Sequence, residues 1–173
     1  MALDRFVVIA NQYDAETAAL ADFEDVRTLY ARLGILDTFD AAVLTRTAAG
    51  QVEVVQRVSE PRRHETTRGL LGGLALGAAF ALFPAIHLAG GLLAGGALGA
   101  GVGAIAGHLV SGTSRSDLKI LGELLDNGTS GLVVVVAPDV EEHVEATITR
   151  AQQQAHAQLQ TDLAAVTREF DAV

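Results

Sequence analysis

Cysteine and tryptophan are both absent from the 173 residues. Without cysteine the chain forms no disulfide and performs no thiol chemistry, and a reducing compartment suits it. Aromatic residues make up only 5% and prolines number three, although half of all residues are apolar. Alanine, glycine, leucine and valine therefore carry the hydrophobicity, a composition that packs closely but has few large anchors. The net charge of −9 argues against general nucleic-acid binding, which needs a basic surface for phosphate contacts. Met1 to Asp14 show no basic segment followed by a long apolar run, so no signal peptide is expected.

A further absence is internal. From Gly69 through Ser114 there is no Asp, Glu, Lys or Arg. Most of the chain's glycines fall in this block, and Gly91, Gly95, Gly99, Gly103 and Gly107 repeat GxxxG without a break, with Ser111 one step further. Residues four apart share a helix face, so that face is nearly bare and admits another helix to backbone contact. Pro84 divides the block into arms of about 66–83 and 88–110. The first arm carries a matching stripe at Gly69, Gly73, Gly77 and Ala81. The simplest packing is arm against arm in a helical hairpin.

A bilayer core needs roughly 20 helical residues; the second arm suffices and the first is marginal, with tilt able to absorb the difference. The strongly apolar residues of the second arm supply only about −2 to −5 kcal/mol of insertion energy, so it needs a partner helix. Arg62, Arg63 and Arg68 precede the block and Arg115 and Lys119 follow it, while its tip has neither Lys nor Arg. The positive-inside rule then places the remaining domain in the cytoplasm. The alternative is a hairpin buried in a large soluble or lipid-associated homo-oligomer.

Outside the block the pattern is mixed. Residues 5–12 read as a strand. Asp14 is placed as the cap of a helix with apolar positions at Leu20, Phe23, Val26, Leu29, Tyr30 and Leu33, ending near Gly34. Strands are expected at about 39–47 and 51–59, a short helix at 116–126, and a buried strand at 131–137. Asp139 and Glu142 suggest a capping box for a long amphipathic helix over 139–173, with apolar residues every three to four positions from Val140 to Phe170. Its second half leaves Leu159, Leu163, Val166 and Phe170 for a partner surface.

These elements make an α+β chain with a ferredoxin-like βαββαβ domain and an expected strand order of 4-1-3-2. The divisions are 1–62 and 115–138 for the two parts of the domain, 63–114 for the inserted hairpin, and 139–173 for the final helix.

Four segments, FVVIANQYD, AAVLTRTAAGQVEVVQ, GLLGGLALG…GGLLAGGALGAGVGAIAGHLVSG and LGELLDNGTSGLVVVV, resemble in order those of the uncharacterised bacterial membrane-associated proteins that combine a small α/β domain with a glycine-zipper hairpin. The resemblance implies membrane association and supplies no catalytic residues.

No constellation points to catalysis, a cofactor or a metal. The GxGxxA-like run 101–106 follows no strand and is explained by the glycine ladder. His87 and His108 are read as interfacial, and His143 and His156 as solvated positions of the last helix without metal-ligand spacing. Asp22, Glu24 and Asp25 read as a solvated helix face. Arg5, Arg46, Glu53 and Arg57 are the sole candidates for a polar cluster on the sheet. The sequence thus predicts a non-enzymatic scaffold whose partners are further copies of itself and a bilayer, not nucleic acid, with any small-molecule ligand unspecified.

Overall fold

The computed structural model describes residues 4–33, 39–48, 52–60 and 130–161. The glycine block, its flanking Arg62, Arg63, Arg68, Arg115 and Lys119, the helix expected over 116–126, and Leu163, Val166 and Phe170 lie outside the described residues. Among the described residues no helix is long and apolar enough to cross a membrane.

The order is β1 (Asp4–Tyr13), α1 (Glu16–Leu33), β2 (Phe39–Arg46), β3 (Val52–Glu60), β4 (Ser130–Val136), α2 (Glu141–Thr147) and β5 (Gln153–Thr161). The strands form one antiparallel sheet in the order β3-β2-β4-β1-β5. The position of β4 follows from its composition. It is buried at every residue and carries Leu132 and Val133–Val136, so both of its faces must be covered, as they are at the centre of a sheet.

The expected order 4-1-3-2 is corrected in one pairing. It placed 51–59 beside β1, whereas β4 stands there and joins β1 to β2. Strand β3, with Glu53 and Gln56 exposed, lies at the edge, where such residues remain solvated and discourage further strand addition. The β2–β3 register shifts between Val43 and Leu44, which leaves Val55 as the extra residue of a bulge. The bulge explains the imperfect alternation of β3. Val54 pairs with Leu44 and Val58 with Ala41, so the two valines fall on opposite faces.

The long helix expected over 139–173 is likewise corrected. Helix α2 ends at Thr147, Ile148 is extended (φ −79, ψ 102), and 153–161 is strand. Leu159 therefore belongs to β5 and not to a partner helix. Asp139 does not cap α2 either: the N-cap is Val140, with no side-chain cap bond.

One face of the sheet carries Val7, Ile9, Tyr13, Ala41, Val43, Leu132, Val134 and Val136. Against it pack Ala19, Phe23, Val26 and Tyr30 of α1 and Val140, Val144 and Ile148 in and around α2. Burying a side chain such as Phe23 or Ile9 contributes about 1.5–3 kcal/mol. Leu33, expected on the apolar face of α1, is 45% exposed instead. The second face is also buried and apolar, at Phe6, Val8, Ala10, Ala42, Leu44, Val133, Val135 and Ala155, although both described helices lie on the first.

The chain leaves and rejoins the sheet at opposite ends. Glu60 pairs with Phe39 at the start of β2, and Ser130 pairs with Thr45 near its end. Six residue steps along β2 separate these points, about 20 Å at strand spacing.

Candidate functional site

Three polar constellations among the described residues gather where α1, α2 and β5 meet the β1 side of the sheet. The turn after α2 is tied to β1 by the Gln152 amide, which donates to the Gln12 carbonyl at 2.8 Å. That bond starts the β1–β5 ladder, whose register sets Gln154 opposite Asn11 and His156 opposite Ile9. Asn11 is fully buried. It donates to the Leu132 carbonyl at 3.1 Å and accepts from Gln154 Nε2 at 2.7 Å. A polar residue in the middle of a buried strand thus finds partners on both neighbouring strands, as burial requires.

The second constellation centres on Asp22. Its residue is 0% exposed, which corrects the reading of Asp22 as part of a solvated face; Glu24 and Asp25 do remain exposed. The Tyr13 hydroxyl and the Arg150 amide each donate to Asp22 Oδ2 at 2.9 Å, and Arg150 Nη1 donates to Oδ1 at 2.6 Å. The same Nη1 reaches Asp25 Oδ2 at 2.7 Å. Three donors on one carboxylate compensate for its removal from water. Burial first, and the Asp22 charge second, push the Tyr13 phenol well above its ordinary pKa. Hydrogen bonds to Asp25 and then Asp22 raise that of the Arg150 guanidinium. The cluster fastens α1 to β1 and to the α2–β5 turn, and a phenol that holds its proton this firmly is a poor acid.

The third constellation is on α2 and β5. Glu141 and Glu145 are one helical turn apart and share a face. His156 meets both: Nδ1 lies 3.1 Å from Glu141 Oε1 and 2.7 Å from Glu145 Oε1. Each side chain is about one-third exposed. Of the described residues, this set has ligand atoms close enough to hold a metal ion. Sequence spacing hid it, because the histidine lies eleven and fifteen positions from its partners and is brought back to them only by the turn into β5. The signal available was the alternation QAHAQLQ, which matches a strand with His156 on one side.

The four residues offered for a catalytic cluster on the sheet are not brought together. Arg5 is in β1, whereas Arg46, Glu53 and Arg57 are in β2 and β3, with β4 between the two groups. The glycine positions, His87, His108 and the 101–106 run lie outside the described residues.

Residues 67–169 match the model of a family described as "Protein of unknown function (DUF1269)". The match starts just before the charge-free block and continues through β4, α2 and β5, so it contains Arg150, Glu141, Glu145 and His156. No curated protein and no solved structure matches the chain.

Proposed function

Since this chain belongs to the DUF1269 family, whose model spans the charge-free block together with β4, α2 and β5, we propose that it is a non-enzymatic membrane-associated scaffold. Its hairpins self-associate through the glycine ladders, and its α/β domain lies in the cytoplasm. The observation that carries the reading is the uninterrupted run without Asp, Glu, Lys or Arg from Gly69 to Ser114, flanked on both sides by basic residues. We read β1, α1, β2, β4, α2 and β5 as a ferredoxin-like unit in the order β5-β1-β4-β2, with β3 as an added edge strand. In this arrangement a hairpin returning to its starting side still leaves about 20 Å to cover before β4. The helix expected over 116–126, about 16 Å long, would span most of that distance. Alkaline carbonate washing of membranes tests the proposal: the protein is expected in the pellet, and recovery in the supernatant rejects it.

A second reading is favoured by one specific observation, the buried apolar second face of the sheet. Strands β3 and β4 are parallel, and a right-handed connection puts its part nearest β4, the helix expected over 116–126, on the face of α1 and α2. The second face is then left to the block, whose bare helical ridges suit close packing. In this reading many copies bury their hairpins in a soluble or lipid-associated assembly. Large particles in light scattering without detergent are its expected signature, and a small oligomer that needs detergent counts against it.

A further inference from the structure

Glu141, Glu145 and His156 come from two elements and converge on one point. A ring nitrogen carries at most one proton, so it can donate one good hydrogen bond. Here two carboxylates address the same Nδ1, at 2.7 and 3.1 Å. The two carboxylates also repel each other, and the arginine nearest in sequence, Arg150, is engaged by Asp22 and Asp25. The three donor atoms lie within 4.8 Å of one another. Zinc bonds to imidazole nitrogen and carboxylate oxygen of about 2.0–2.2 Å place tetrahedral ligand atoms roughly 3.4 Å apart. The nitrogen–oxygen separations therefore need to widen by less than an ångström, within reach of a rotamer adjustment at partly exposed glutamates.

We propose that Glu141, Glu145 and His156 bind one divalent transition-metal ion of the zinc class, with water completing its coordination on the exposed side. One imidazole and two carboxylates select such an ion over magnesium or calcium, which favour oxygen-only shells. The ion staples α2 to β5. That helix has seven residues and no side-chain cap, so a cross-element bond at its exposed face adds to the hold that Val140, Val144 and Ile148 give it on the sheet. The site does not depend on where the protein resides, and its failure leaves the membrane reading untouched.

The test uses the full chain in detergent micelles, stripped with a chelator and titrated with Zn²⁺ by calorimetry. One equivalent is expected per chain, with a rise in thermal midpoint on loading because the ion binds the folded state. His156→Ala and the near-isosteric Glu145→Gln each weaken binding by roughly tenfold or more, as loss of a ligand should exceed the cost of losing an outer partner. Both reduce the rise in midpoint at a fixed Zn²⁺ concentration. His143→Ala, on the same helix but outside the cluster, binds as the parent does. Circular dichroism checks that the variants fold, and Glu145→Gln decides the matter if His156→Ala does not. No uptake by the parent overturns the proposal. So does uptake that neither substitution alters, which identifies an adventitious ion only.

Discussion

Asp22 Oδ1 and Arg150 Nη1 stand 2.6 Å apart although 128 positions separate them in sequence. Asp22 is buried and takes two further donors, whereas Asp25 on the same guanidinium is half exposed. Removing the two carboxylates should therefore have unequal effects. Asp22→Ala takes this acceptor from the buried Tyr13 hydroxyl, at about 1–3 kcal/mol for a buried group, and frees the exposed Arg150 from α1, so a loss of roughly 1–3 kcal/mol is expected. Asp25→Ala should cost under about 1 kcal/mol, as exposed pairs do. Urea denaturation of both variants measures the difference, and equal losses would show that Asp22 does not organise the cluster.

The raised pKa of Tyr13 gives an alkaline prediction. The unfolded phenol titrates near pH 10, while the folded one holds its proton to higher pH. Above about pH 10 the folded state binds more protons than the unfolded state, so stability falls as pH rises, by up to about 1.4 kcal/mol per unit from this group. Below that window the group contributes no slope. Tyr13→Phe is expected to be less stable at neutral pH but flatter above pH 10. The same alkaline slope in both proteins, followed by denaturant midpoints across pH, would refute the assignment.

The two faces of the sheet can be compared through two phenylalanines. Phe23 is 1% exposed on the helix-covered side and Phe6 is 2% exposed on the other. If the second side is packed as tightly as its burial indicates, Phe6→Ala and Phe23→Ala should each destabilise by about 3–5 kcal/mol. A Phe6→Ala loss below about 1 kcal/mol would mean that the second face lacks a packed layer.

The glycine ladder is tested by a matched pair of substitutions. On the proposed helical ladder Gly99→Leu would place a branched side chain on the small-residue ridge and should reduce self-association strongly, because close helix approach depends on small residues. Leu98→Ala, beside the ridge, should change it little. Cross-linking or light scattering reads the oligomer populations, and an unaltered distribution in Gly99→Leu removes the ladder from the interface.

The sequence disclosed β1, α1, β2, β3 and β4 to within a residue or two at most of their ends, because each has a readable pattern: a short apolar run, a 3–4 spacing, a partial alternation, or a run of valines. It failed at β5. Ala, Gln and Leu favour helices, and Val140, Val144, Ile148, Ala151, Ala155 and Leu159 fit a helical face. The competing period of two over 154–160 was masked by that fit. The β-branched Thr147–Thr149 run was the local cue that the helix stops. The consequence reached the site. With β5 read as helix, His156 stayed far from Glu141 and Glu145, and Arg150 stayed far from Asp22. Long-range charge pairing is invisible to periodicity, so Asp22 looked like any other acid on a helix surface until the fold brought an arginine to it.

The opposite attachment points of residues 61–129 constrain how the domain could be simplified. A short turn in place of this insertion cannot bridge Glu60 and Ser130. A tether must run the length of β2 and step sideways past one strand, which takes at least about seven extended residues. The insertion is thus no detachable ornament hung from a hairpin tip: it is also the route by which the chain travels from the rim of the sheet to its middle.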